Sequence, residues 1–214
     1  MSEKKKGGMN LPNKLTVLRI ILVPIFIVVM MLPASILHPT VSGLVGVGLF
    51  IIASLTDMLD GKIARKYNLV TDFGKLMDPL ADKFMVIGAL TAIVYRSANI
   101  RTLFIVALLV VIFRELAVTS LRLVASSSSG VVVPANMLGK IKTVMQIVCV
   151  CTAIIEPVLY TAIAPNFKIG GELHAFLTNF PPLTYVTCAL MIIFTVWSGI
   201  NYFIGMWKYM DPEK

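Results

Sequence analysis

Charge is what this sequence has least of: only 14% of its 214 residues are Asp, Glu, Lys or Arg, while 57% are hydrophobic. An ordinary soluble domain is about a quarter charged and roughly 45–50% apolar. With a mean hydropathy of +0.88, the composition excludes a separate soluble catalytic domain, so any chemistry falls to residues on or beside membrane helices. Cysteine is scarce too: Cys149, Cys151 and Cys188 all sit in apolar stretches, with no CxxC spacing. An odd count without paired spacing argues against a disulfide framework or a thiolate metal site and leaves packing residues. A soluble basic face interleaved with aromatic platforms is missing, which argues against nucleic acid as a partner. There is no internal repeat. A cleaved signal is not expected either, because the apolar run from Leu15 to Leu37, broken only by Arg19, is too long for a signal h-region.

What the chain does have is six apolar stretches, each about 20 residues and so long enough to cross ~30 Å of hydrocarbon. They predict spans at 15–33, 41–62, 79–96, 102–125, 140–163 and 183–207. Proline, glycine and small polar residues punctuate the breaks, notably at Pro33, Pro39, Pro134 and Pro181-Pro182. The expected fold class is an all-α integral membrane protein of six transmembrane helices, a single domain over 1–214 with a basic segment at 1–14. Sixteen of the nineteen Lys and Arg residues fall on the amino-terminal side of these spans, and only Arg96, Arg101 and Lys168 on the other. Positive residues concentrate in short cytoplasmic connections, so both termini and the connections after spans 2 and 4 are expected in the cytoplasm. The net charge of +8 also suits anionic lipid or a phosphate-bearing substrate.

Acidic residues are few but not scattered. Five of the eleven, Asp57, Asp60, Asp72, Asp78 and Asp82, crowd into 26 positions at the cytoplasmic end of span 2 and the start of span 3. Spacings of three and four put Asp57 with Asp60, and Asp78 with Asp82, on shared helix faces, and a helical hairpin brings the two pairs together. Such carboxylates repel unless a cation sits among them. Oxygen-only donors without His or Cys select Mg²⁺, Mn²⁺ or Ca²⁺, and four carboxylates can share two ions. Asp72, beside Thr71 in a polar turn, reads better as a helix cap. Gly61, Ala64 and Gly74 remove side chains where a bulky diphosphate would approach, and Arg65 can grip phosphate oxygens through its planar fork.

The run Asp57-x2-Asp60-Gly61-x2-Ala64-Arg65-x8-Gly74-x3-Asp78-x3-Asp82 resembles the signature of the CDP-alcohol phosphatidyltransferases at every fixed position and spacing. The resemblance implies a six-helix fold, usually a homodimer, with two divalent cations, Mg or Mn, held by Asp57, Asp60, Asp78 and Asp82, and Asp82 as general base. It implies that the hydroxyl of an alcohol displaces CMP from a CDP-linked lipid. The opening Asn10 to Arg19, with Phe113-Arg114-Glu115, Ser120-Leu121-Arg122 and Leu138 to Gln146, is similar to the branch that joins CDP-diacylglycerol to glycerol 3-phosphate. From that likeness Asn13, Thr16 and Arg19 lie near the nucleotide or its diphosphate, with Thr56, Gly61, Ala64, Arg65 and Gly74 completing the CDP-lipid site. Members of this compact form are typical of bacterial plasma membranes.

The acceptor has to be read from cytoplasmic groups on spans 4 and 5. Arg114, Arg122, Lys140, Lys142 and Thr143 supply several charged donors, which suits the glycerol 3-phosphate dianion better than a neutral alcohol. Inositol phosphate or phosphatidylglycerol are the alternative acceptors within the family. A cation transporter is the competing class, since intramembrane acids also mark ion pathways. Against it, no acidic residue lies between Glu115 and Glu156 to continue a path.

Overall fold

The computed structural model describes residues 10–67, 71–129, 137–167 and 171–207. Seven helices account for nearly all of them: α1 Leu11–Met31, α2 Pro39–Lys66, α3 Asp72–Arg96, α4 Arg101–Ser129, α5 Met137–Phe167, α6 Gly171–Asn179 and α7 Pro182–Trp207. No strand occurs among the described residues. Long apolar helices are what a lipid environment demands, because no water is there to satisfy a free backbone N–H or C=O. Four helices and the α6–α7 stretch meet the length and hydropathy of a membrane span. α3 is a sixth long helix, 25 residues, which falls short on composition because Asp72, Lys75, Asp78, Asp82 and Lys83 occupy its first half. The six expected spans therefore all appear as helices. α6 is an addition, formed where only a connecting loop was expected.

Internal contacts group the chain into two units, Met1–Ala89 and Leu90–Lys214. In the first, α1 packs along α2 in antiparallel register: Met30 covers Gly46, the Phe26 and Phe50 rings sit 5.8 Å apart, and Arg19 reaches Asp57. Gly88 of α3 lets Ile27 and Val23 of α1 close in, since a Cβ there would lie 2.7 Å from Ile27 Cδ1. The two faces of α1 show how membrane and site divide one helix. Leu18, Ile21, Ile25 and Val28 are exposed on one side, while Asn13, Thr16, Arg19, Val23, Phe26 and Met30 are buried on the other. The inward face thus changes from polar to apolar along the helix.

In the second unit α7 packs against both α4 and α5. Its buried stripe, Thr184, Thr187, Cys188, Met191, Thr195, Ser198, Tyr202 and Met206, steps by three and four residues and is rich in small polar side chains, the composition that lets membrane helices approach closely. Thr152 of α5 and Thr187 share a hydrogen bond of 2.7 Å. Cys149, Cys151 and Cys188 are free thiols, the first and last buried, as packing residues should be.

Candidate functional site

The acidic signature is assembled at one end of the first unit, and its local structure follows from sequence. Thr71 opens α3: its Oγ1 accepts the N–H of Gly74 at 3.1 Å and donates to Asn13 Oδ1 at 2.9 Å. The capping role expected of the Thr71-Asp72 turn thus belongs to Thr71, with Asp72 as the first helical residue. Pro79, directly after Asp78, has no N–H for the carbonyl four residues earlier, so the turn of α3 that carries Asp78 lacks one helical hydrogen bond. Gly74 is buried, and a Cβ there would stand 3.3 Å from Asn13 Oδ1, 3.4 Å from Thr71 Oγ1 and 3.6 Å from Asp78 Oδ2. Glycine is therefore what allows α1 and the start of α3 to meet at this point.

Arg19 lies at the centre of the cluster. Its side chain is wholly buried; Nη1 lies 2.7 Å from Asp57 Oδ1 and Nη2 donates to Asp60 Oδ2. The Nη1 approach is an ion pair off the hydrogen-bonding direction, and Nε has no hydrogen-bond acceptor. One turn back, Thr16 Oγ1 donates to Asp78 Oδ1 at 2.6 Å. Asn13, Thr16 and Arg19, spaced by three on one face of α1, thus touch Thr71, Asp78 and the Asp57/Asp60 pair in turn. Asp57 also feels the charges of Asp60 and Asp78. Three of the four expected metal ligands are therefore gathered, as the hairpin argument requires. Asp82 is half-buried one turn beyond Asp78. Thr56 is buried and hydrogen-bonds within its own helix to the Ala53 carbonyl at 2.7 Å. Gly61 is half-buried, and the Ala64 and Arg65 side chains lie outside the described residues.

Among the described residues no three acidic, His or Cys side chains are placed to hold a metal ion together, and a guanidinium bridges Asp57 and Asp60. The donor set nevertheless suits a hard divalent cation: every candidate atom is a carboxylate oxygen, and a cation is held among them already.

The residues predicted for the acceptor are distributed over α4 and α5 of the second unit. Glu115 Oε1 accepts from Arg114 Nη1 at 3.2 Å and from Lys142 Nζ, linking the cations of α4 and α5 through one carboxylate. Arg114 Nη2 donates to Ser198 Oγ at 2.6 Å, while its buried Nε has no hydrogen-bond acceptor. Arg122 is exposed, with Nε 3.4 Å from Tyr202 Oη and its guanidinium 5.9 Å from that ring's centroid. Lys140 is exposed, and the Thr143 hydroxyl donates to the Gly139 carbonyl of its own helix at 3.1 Å. Arg114 and Lys142 are therefore gathered, whereas the other three stand apart from that knot. Sequence reasoning had no place for Ser198 or Tyr202. Their signal was the three-and-four spacing of polar residues along an otherwise apolar α7.

A family model for the CDP-alcohol phosphatidyltransferases matches residues 9–197. The chain belongs to that family. It is a CDP-diacylglycerol-dependent phosphatidyltransferase by that membership and by its relatives, and the family as a whole depends on divalent cations. The CDP-diacylglycerol--glycerol-3-phosphate 3-phosphatidyltransferase of Bacillus subtilis strain 168 is 42% identical, covering 96% of this chain and 99% of its own. The enzyme of the same name from Rickettsia felis is 33% identical over 94% and 97%. A probable phosphatidylglycerophosphate synthase of Mycobacterium tuberculosis H37Rv is 31% identical over 90% and 79%. The matched segment takes in α1 through most of α7, and so includes both the acidic signature and the Arg114–Lys142 knot.

Proposed function

We propose that this phosphatidyltransferase condenses CDP-diacylglycerol with glycerol 3-phosphate, giving phosphatidylglycerol phosphate and CMP, in the plasma membrane of a bacterium with its active groups facing the cytoplasm. The observation that carries this is the gathering of Asp57, Asp60 and Asp78 around α1, in a chain similar along nearly its whole length to enzymes named for that reaction. Asp57, Asp60, Asp78 and Asp82 would hold two Mg²⁺ or Mn²⁺ ions, which supply neutralisation of the diphosphate and of the departing CMP. Gly61, Ala64 and Gly74 leave room for the diphosphate, and Arg65 binds its oxygens. Asp82 takes the proton of the attacking hydroxyl as the new oxygen–phosphorus bond forms, with most of its benefit coming from position, since a carboxylate is a weak base.

Arg114 and Lys142 receive the acceptor phosphate. They are cations held half-buried to buried by one shared carboxylate, so a dianion arriving beside them meets fixed donors at a low-dielectric site. Purified enzyme in mixed micelles with CDP-diacylglycerol and Mg²⁺ should release CMP with glycerol 3-phosphate and not with inositol phosphate or phosphatidylglycerol. Lys142→Ala should raise KM for glycerol 3-phosphate by about tenfold, equivalent to losing one charge-assisted contact, while KM for the CDP-lipid stays within about twofold. CMP release with another alcohol in preference to glycerol 3-phosphate removes the acceptor assignment. Ion flux across liposomes in the absence of CDP-lipid would favour the transporter instead.

A further inference from the structure

The likeness of α1 to the family's opening segment places Asn13, Thr16 and Arg19 against the nucleotide or its diphosphate, but in this structure they are turned onto the signature itself. We infer that Arg19, with Thr16, is a positioning device for the metal ligands: it orients the carboxylates and sets the affinity for divalent ions without contacting the lipid substrate. The inference rests on the reading of Asp57, Asp60 and Asp78 as metal ligands.

Three observations lead there. Arg19 is 0% exposed, and a guanidinium so deep in a membrane helix is tolerable only when paired. Its planar fork divides between two carboxylates three residues apart on α2, Asp57 Oδ1 and Asp60 Oδ2, a geometry that a lysine ammonium, being a point charge, does not reproduce. Thr16 then fixes Asp78 Oδ1 from the same face of α1. The ion pairs and hydrogen bonds from α1 thus engage one named oxygen of each of three carboxylates, Asp57 Oδ1, Asp60 Oδ2 and Asp78 Oδ1. A single helix thereby sets the rotamers of ligands drawn from α2 and α3. The same contacts occupy the side chains that the likeness would assign to the diphosphate.

Removing the fork leaves Asp57 and Asp60 to repel each other and Asp78, so they rotate apart and the ligating arrangement has to be rebuilt at each binding event. The experiment is Mn²⁺ binding to the full-length protein in detergent, without CDP-lipid, read by the electron paramagnetic resonance signal of free Mn²⁺. KM for CDP-diacylglycerol at saturating Mn²⁺ and the thermal midpoint are measured on the same samples. Arg19→Lys, which keeps the charge, should weaken Mn²⁺ binding at least tenfold, and Thr16→Val about threefold. KM for CDP-diacylglycerol should stay within twofold in both. Unchanged Mn²⁺ affinity with a raised KM would overturn the inference and return Arg19 to the diphosphate. Unchanged Mn²⁺ affinity with only a lowered thermal midpoint would overturn it in favour of a purely structural ion pair. Wild-type protein whose Mn²⁺ binding is indifferent to Asp57→Asn and Asp78→Asn overturns the metal reading itself, an outcome distinct from either.

Discussion

A single missing methyl group shows how tightly the acidic site is built. A Cβ on Gly74 would press on Asn13 Oδ1 at 3.3 Å, which has to give by a few tenths of an ångström, and would come into ordinary contact with Thr71 Oγ1 at 3.4 Å and Asp78 Oδ2 at 3.6 Å. Two effects oppose each other in Gly74→Ala. Alanine favours the helix by up to about 1 kcal/mol, less in a first turn, while the crowding shifts Asn13 and with it the Asn13–Thr71 link beside Asp78. The first effect acts on stability and the second on geometry, and misplacement of reacting groups by a fraction of an ångström is costly to rate. Gly74→Ala should therefore hold its thermal midpoint within about 3 °C, the equivalent of less than 1 kcal/mol, and lose about tenfold in kcat. Unchanged kcat would make Gly74 a helix-packing glycine and nothing more. The signature spacing made this glycine conspicuous in the sequence. What it borders was not legible there, because Asn13 lies 61 positions away and meets it only once α1 and α3 have come together.

Among the helices, α7 illustrates both what a sequence reveals and what it withholds. Its length and its Pro181-Pro182 opening are plain in the sequence, and so is its polar stripe once three-and-four spacing is sought. The group that caps it is not: Glu156, on α5, accepts from Leu183 N at 3.1 Å, from Thr184 N and Thr184 Oγ1 at 2.7 Å each, and from Tyr160 Oη at 2.7 Å. Pro182 has no N–H to offer, so this one carboxylate meets the next two orphan donors of the helix end and lies at the positive end of its dipole. From sequence alone Glu156 is a lone acid in an apolar span, since its partners depend on the antiparallel register of α5 and α7. α6 was missed for a related reason: its nine residues follow the Pro165–Gly171 punctuation and are too few to show a helical period. Deleting four hydrogen bonds to a buried charge should be expensive, so Glu156→Ala should destabilise the protein by about 2–4 kcal/mol. Glu156→Gln, which keeps one acceptor oxygen, should cost about half as much. Denaturation in dodecyl maltoside measures both, and turnover per folded molecule should stay within about twofold. A Glu156→Ala protein as stable as wild type would mean that water or Tyr160 caps α7 just as well.

For the whole molecule the decisive question is one of parity, and it turns on α3. α6, at nine residues or about 14 Å of helix, is too short to cross ~30 Å of hydrocarbon, so six crossings require α3 to be one of them despite the charges in its first half. Its second half, Phe84 to Tyr95, is apolar enough to enter the bilayer, and 25 residues make about 37 Å of helix, enough for a span whose charged start remains at the interface. Were α3 to lie on the surface instead, the connection after α4 would lie on the opposite side from the one after α2, and Lys62 and Lys66 would be separated by the membrane from Lys140 and Lys142. Positive residues on both sides would contradict their usual concentration in the cytoplasm. Single cysteines introduced at Ala98 and Met137, with the native thiols replaced, separate the two arrangements. In intact cells a membrane-impermeant maleimide should label Ala98→Cys and leave Met137→Cys untouched until the membrane is permeabilised. Labelling of Met137→Cys from outside would mean that α3 fails to cross, and would put Lys142 across the membrane from the carboxylates it is proposed to serve.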